Sequence, residues 1–336
     1  MANITSPFPP LAFAEELDSI DFERSDDDAD SFRLSVYVGQ QQVFSNLMAF
    51  DASDCFTLDD FAGFLSPFLG TNVATTLRIV AGRDEYSSQV LPSRLNTGQT
   101  AAEWTARHFL HLWGHRKTTC YGLTERLSAW LPAGDVTVRV RLSAPEGQAE
   151  YTHTVTHRAE GIAQYALDWR EYRDFITPER RESFVADVEM GGLRMVYHAT
   201  RRPSDAAVFE YTNAFGMTDT MLLCGITRTA SPTRTTARQA GYDIITNVEN
   251  GTSWEAHTLP LLPDAVTAFE DFLYCPRLRL AGTYDYYLIS GQDFKAERDA
   301  HAYNRARVTL TASGRNPLAL TEAARIFDAS FDDAYN

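Results

Sequence analysis

The run "VTVRVRLSAPEGQAEYTHTVTH" alternates apolar and polar residues over most of its length, and that period of two does not fit a helix. Val136, Val138, Val140 and Leu142 share one side, "APEG" turns the chain, and Ala149, Tyr151 and Val155 alternate on the return. "SFVADVEMGGLRMVYHAT" repeats the pattern, with Gly191-Gly192 as a two-residue turn between alternating runs. "SFRLSVYVG" places Phe32, Leu34, Val36 and Val38 on one face, and "TTLRIVAG", "EYSSQVL", "VFEYT", "TMLLCGIT", "TYDYYLIS" and "YNRARVTLTA" read as further strands. Helical spacing is confined to short stretches. In "TLDDFAGFLSPFL", Thr57 and Asp60 resemble a capping pair and Leu58, Phe61, Ala62 and Leu65 share a face, ending near Pro67. Val266, Phe269 and Leu273 mark a second helix. Short strands at short intervals predict a mainly β protein of tandem antiparallel β-sandwich domains with a few short helices.

Length and charge bound the organisation. A chain of 336 residues has room for two ordinary domains. The expected division is an acidic extended arm over 1–30, an N-terminal sandwich over 31–162, a C-terminal sandwich over 163–327 and a tail over 328–336. "GIAQYALDWREYRDFITPERRES" fits either side of the internal boundary. Pro7, Pro9 and Pro10 forbid a regular helix near the start. Residues 1–30 hold nine acids against Arg24, or −8 of the net −15. Such a segment reads as a solvated arm, or as an extended one that docks Phe8, Leu11, Phe13, Ile20 and Phe22 on a neighbouring subunit. Asp26–Asp28 lack the spaced ligands of a calcium loop. The negative balance argues against nucleic acid and against an anionic membrane surface. No apolar run reaches the roughly 20 residues of a membrane span, and no basic-then-apolar leader opens the chain. The expectation is a soluble chain made in a bacterial cytoplasm. Cys55, Cys120, Cys224 and Cys275 form no CxxC pair and read as free thiols.

The candidate chemistry is sparse. "HFLHLWGH" sets His108, His111 and His115 at i, i+3 and i+7. Thr100 and Glu103 form a capping box ahead of it, and Gly114 stops a helix before the third histidine. On a strand, His111 and His115 stand about 13 Å apart, so neither geometry converges on a metal. His153 and His157 are separated likewise on a convincing strand. "NGTSWEA", with Ser253, lacks the strand–elbow–helix setting of a serine nucleophile, and no glycine loop cradles a phosphate. Neighbouring carboxylates such as Glu270-Asp271 and Asp332-Asp333 carry no spacing that fixes a mechanism. No catalytic residue, cofactor or metal ligand is assigned, and the expectation is a non-enzymatic protein. Trp104, Trp130, Trp169 and Trp254 are candidate platforms for the alternative, a glycan- or protein-binding β-sandwich module of adhesin type.

"FEYTNAFGMTDTMLLCG" is the most distinctive stretch. Asn213 and Gly216 occupy the positions that a type I turn favours, with Phe215 free to fold onto the sandwich end, so Asn213-Ala214-Phe215-Gly216 reads as a structural corner. The string also resembles the "aromatic–x–Asn–x–Phe-Gly–x–x–Asp" signature of β-rich tail-associated proteins of prophages from gut anaerobes. "AFEDFLYCPRLRL", "YDYYLIS" and "NRARVTLTA" follow in the order helix, strand, closing strand found there. The resemblance implies a virion structural protein, a tail or baseplate component without an active site. Its partners are then further copies of itself and other virion proteins, met through arms and sheet edges.

Overall fold

The computed structural model describes residues 2–25, 30–94, 97–239, 242–293 and 304–312, with the backbone course alone for 230–239 and 242–252. The chain is mainly β, built as three successive units.

The first unit holds β1 (Ala2–Ile4), β2 (Leu11–Phe13), β3 (Ile20–Arg24), β4 (Ser31–Val38), β5 (Gln41–Ala49), β6 (Cys55–Leu58), α1 (Phe61–Leu65), β7 (Thr75–Ala81) and β8 (Asp84–Leu91). Its sheets run β1-β3-β6 and β2-β8-β7-β4-β5. The segment expected as an arm is therefore corrected over its described residues. β3 is the middle strand of one sheet, and β2 extends the other by pairing parallel with β8. Its apolar residues alternate inward: Ile20 and Phe22 are buried while Asp21 and Glu23 face water. The acids supply an outer face, and the three prolines fall in the connection between β1 and β2. Asp26–Asp28 and the tail 328–336 lie outside the described residues. The Thr57–Asp60 capping pair is also corrected. β6 carries Thr57, whose hydroxyl donates to Asp21 Oδ1 at 2.8 Å, and α1 begins after a left-handed Asp60.

The second unit holds α2 (Ala101–Thr105), β9 (Arg116–Thr119), β10 (Thr124–Leu131), β11 (Gly134–Ala144), β12 (Gly147–His157), β13 (Gly161–Asp168), β14 (Val185–Met190) and β15 (Leu193–Ala199). A five-stranded sheet β12-β11-β14-β15-β9 faces the pair β10-β13. Gly191 and Gly192, both at positive φ, join β14 to β15 with Met190 opposite Leu193. The expected boundary at 162/163 falls inside β13. That strand pairs with β10 from Gly161 to Asp168 and buries Ala163 and Leu167, so the division is displaced to the stretch between Ala199 and Ala207.

The third unit is β16 (Ala207–Thr212), β17 (Thr218–Gln239), β18 (Tyr242–Thr258), α3 (Val266–Leu273), β19 (Leu278–Leu280), β20 (Tyr286–Asp293) and β21 (Arg307–Ala312). It forms a closed barrel β16-β17-β18-β21-β20-β19 where a sandwich was expected. Short β19 closes it by pairing with both β16 and β20. Closure removes the free edges an open sheet would expose.

β17 and β18 outrun this barrel. β16 pairs with β17 only over Thr218–Leu223, and β21 with β18 only over Ser253–His257. From Ala230 opposite Thr252 to Gln239 opposite Tyr242 the two strands pair with each other alone among the described residues. Ten residues of strand reach roughly 33 Å, so a two-stranded ribbon, with both edges open among the described residues, projects from the barrel.

The core has three parts. The first unit encloses its own cluster around Phe22, Leu34 and Ile79. The second unit and the barrel share one continuous core. A small third cluster of Phe13, Leu91, Ala101, Leu110, Phe215 and Met217 draws on all three units.

Candidate functional site

The third cluster surrounds the loop between β16 and β17. Gly216 N–H donates to Asn213 O at 2.9 Å and Asn213 N–H to Met217 O at 2.8 Å. With Gly216 at φ +72°, this is the three-residue hairpin loop closed by a left-handed glycine. Asn213 Oδ1 accepts from Phe215 N–H and Met217 N–H, both at 3.0 Å, and its Nδ2 donates to Leu110 O at 2.8 Å. Asn213, Phe215 and Gly216 are therefore brought together in a corner, as the turn chemistry predicts, but one buried between units. Phe215 is fully buried against Phe13 of the first unit and Trp104 of the second, with ring centroids 5.4 and 5.1 Å away.

Residues far off in sequence complete the junction. From the first unit, Asn72 N–H donates to Gly216 O at 2.9 Å, and Asn72 Oδ1 accepts from Thr218 N–H at 2.6 Å. Arg94 N–H donates to Ala214 O at 3.0 Å. The Arg94 guanidinium donates to Thr212 O and Asp271 Oδ1, each at 3.1 Å, and also to Tyr274 O. Asp271, on α3, accepts Ala214 N–H at 2.9 Å through its other oxygen. Burial pushes the Asp271 carboxyl up to about 6, against the pull of the Ala214 amide and Arg94.

Behind the loop lies a buried ionic network. Lys117 Nζ on β9 stands 2.8 Å from Glu125 Oε2 on β10 and 3.0 Å from Asp219 Oδ1 on β17. It also donates to Thr220 O and Oγ1, and lies 4.4 Å from the Trp113 ring centroid. Trp113 Nε1 donates to Asp219 Oδ2 at 2.6 Å, the Tyr211 hydroxyl to the same oxygen at 3.3 Å, and Thr220 N–H to Oδ1. Glu125 accepts from the Thr119 hydroxyl at 2.7 Å, which accepts in turn from Trp169 Nε1. Burial opposes both charges, yet the mutual attraction wins: Lys117 is held above the usual lysine value and Asp219 below the usual carboxylate value. The cavity beside Lys117, about 20 Å³, has room for one water and no organic substrate. This network fastens β17 to β9 and β10.

The three histidines of "HFLHLWGH" sit on neither a helix nor a strand. Helix α2, with its Thr100–Glu103 capping box, stops at Thr105, and the following loop turns back through Gly114 at φ +67°. His108 and His115 come to rest with ring centroids 6.1 Å apart, and both border one cavity with His111. Among the described residues no three His, Cys, Asp or Glu side chains are placed to hold a metal. His153 Nε2 pairs with the Tyr172 hydroxyl at 3.1 Å and His157 Nε2 with Ile162 O at 3.1 Å, each tied within its own unit. Ser253 lies within β18. Trp169 is buried, whereas Trp130 borders an open groove and bonds Glu160 at 3.1 Å. Trp254 packs edge-on against Tyr287, and the four cysteines are free.

Sequence reasoning missed Lys117, Glu125, Asn72 and Arg94, and it gave no role to Asp271 or to Asp219, the last position of the quoted signature. Two signals were present. Glu125 occupies the same alternation phase as buried Leu127, Ala129 and Leu131. Lys117 is one of two lysines, with Lys295, among 30 basic residues. No protein-family model matches the chain, and no curated protein matches it either.

Two predictions follow from this geometry. A Cβ on Gly216 would stand 2.7 Å from Pro92 Cγ, in a backbone region that L-residues enter at a cost of about 1–2 kcal/mol. Gly216→Ala therefore lowers unfolding free energy by about 2–4 kcal/mol in a denaturant titration; an unchanged midpoint would refute the close approach. His111 is 8% exposed, and burial holds its imidazole down to about 4, with Lys117 and His108 acting the same way and Asp219 opposing. The folded pKa lies below the unfolded value of about 6.5, so this stabilisation is complete above about 6.5 and is lost as pH falls to about 4. The raised Asp271 carboxyl acts in the opposite direction over the same window, so the His111 contribution, worth about 3 kcal/mol, is read as the difference between the thermal-melt pH profiles of the native and His111→Leu chains.

Proposed function

We propose that this chain is a non-enzymatic virion structural protein, a tail or baseplate component, that assembles with copies of itself and with other virion proteins through exposed sheet edges. The observation that carries the reading is the ribbon of β17 and β18. A two-stranded ribbon is marginal alone in water, because one pair of strands buries little. Its outer rows of amides and carbonyls are a template for a further strand. A chain that spends more than twenty residues on such an extension, yet closes every edge of the barrel beneath it, fits a part made to receive a neighbour.

The rest of the molecule supports this role. The junction at Asn213–Gly216 locks the three units, so the ribbon leaves a rigid base rather than a flexible string. On the barrel surface Tyr284, Tyr286 and Leu288 recur at every second position and remain 72%, 42% and 55% exposed. Tyrosine and arginine are enriched where protein surfaces meet, and Arg279 flanks these two tyrosines. The assembly element moves with the structure: residues 2–24 belong to the first unit's sheets, and the open-edged ribbon takes the part expected of the arm.

The test replaces residues 230–252 by an Asn-Gly turn between Thr229 and Ser253, which face each other across the ribbon. The full chain forms concentration-dependent oligomers in light scattering, and the shortened chain stays a monomer with an unchanged melting temperature. A full chain that remains monomeric at every concentration, or a shortened chain that assembles equally well, would overturn the reading.

A further inference from the structure

The cavity bordered by the histidine loop has a character unlike the rest of the molecule. It measures about 250 Å³ and lies where the second unit meets α3 of the barrel. Arg107, His108, His111, His115, Arg194 and Thr267 supply its polar lining, and no carboxylate among the described residues contributes to it. In a chain of net charge −15, a concavity lined by two guanidiniums and three imidazoles runs against the overall balance.

The hydrogen bonds decide which charge it suits. His111 Nδ1 accepts the Trp113 backbone N–H at 3.3 Å. A nitrogen that accepts carries no proton, so the neutral ring holds its hydrogen on Nε2. Nε2 is buried and has no partner. The nearest buried carboxylate, Asp219, has its oxygens taken by Lys117, Thr220 N–H, Trp113 Nε1 and the Tyr211 hydroxyl. His111 is thus a buried donor lacking an acceptor. It is not a metal ligand, since ligation through Nε2 would move the proton to Nδ1, against the Trp113 N–H.

The two arginines agree. The Arg107 guanidinium forms no hydrogen bond or ion pair among the described residues, with Glu103 four residues earlier as its charged neighbour. Arg194 gives Nε and Nη2 to Asp187 at 2.7 Å each, which orients the guanidinium and leaves Nη1 for another acceptor. Burial first, and then the neighbouring charges of His115 and Arg107, lower the His108 pKa.

We propose that this cavity binds a small oxyanion, a phosphate or carboxylate group carried by a molecule of monosaccharide size, with Arg107 and Arg194 on its charge. Guanidinium groups match oxyanions with paired donors. Domain junctions are a common place for such sites. The assignment is independent of the ribbon and of assembly.

The experiment titrates the full chain with inorganic phosphate and, separately, with glucuronate at constant ionic strength, followed by calorimetry and by the histidine ring resonances. One saturable site per chain is expected, with shifts at His108, His111 and His115, and the tighter probe identifies the phosphate or carboxylate source. Arg107→Gln weakens the tighter probe about tenfold or more, while Arg83→Gln, on an exposed turn of the first unit, leaves it unchanged. Melting curves at neutral pH establish that each variant is folded. Failure of both probes to saturate, an Arg107→Gln protein of unchanged affinity, or stoichiometric zinc retained through dialysis and lost in His111→Leu would each overturn the assignment.

Discussion

The five amides from Asn213 to Met217 are the constraint on which the rest of the structure depends. All five donate to buried acceptors: Met217 O, Asp271, Asn213 Oδ1 twice, and Asn213 O. The loop's Ala214 and Gly216 carbonyls accept in turn from Arg94 and Asn72 of the first unit, while Asn213 Nδ2 reaches Leu110 of the second. Each such group left unpaired on burial costs about 1–3 kcal/mol. The three units therefore cannot separate at this point without exposing or orphaning several polar groups together. A hairpin turn, elsewhere a surface feature, here acts as the fastening of a three-part body. Phe215 fills the space between Phe13 and Trp104, so the apolar and polar halves of the fastening coincide.

The Lys117 network extends the same seam between the second unit and the barrel. One ammonium faces two carboxylates, and the excess negative charge is met by N–H and O–H donors from Trp113, Tyr211, Thr119 and Thr220. An ammonium with three rotatable donors suits acceptors arranged around a point, which a planar guanidinium does not. That explains a lysine here in a chain that otherwise uses arginine. Buried ion pairs add little net stability against an apolar replacement, but breaking one leaves an uncompensated charge. The network accordingly specifies which faces of β9, β10 and β17 meet.

Much of the local structure was legible because its cause is local. The period of two in β11, β12, β14 and β15, the paired glycines at 191 and 192, the Thr100–Glu103 capping box and the apolar face of α3 all follow from neighbouring residues. The failures share a different cause. Residues 2–24 look like an arm because their three prolines and nine nearby acids speak for solvent, while the strand partners of β2 and β3 lie 32 to 78 positions away. β13 sits at the expected boundary since its partner β10 is joined to it across an entire hairpin. The turn itself was legible as a turn. What it fastens was not, because Asn72, Arg94 and Asp271 approach it from 146, 120 and 57 positions distant, counting Asn72 to Thr218, Arg94 to Ala214 and Asp271 to Ala214. The histidine loop failed both regular templates because Gly114 turns it back on itself.

The proposed assembly role asks for a rigid three-unit base, so that the projecting ribbon meets each neighbour at a fixed angle. That role rests on the base being one body. Amide hydrogen exchange at Ala214, Phe215, Gly216 and Met217 in the full chain tests it most directly. These amides should exchange only through global unfolding, with the same free energy as the central strands β7, β11 and β16 of the three units. Exchange at the loop under conditions that leave those strands protected would contradict it, since the units would then part while each remained folded.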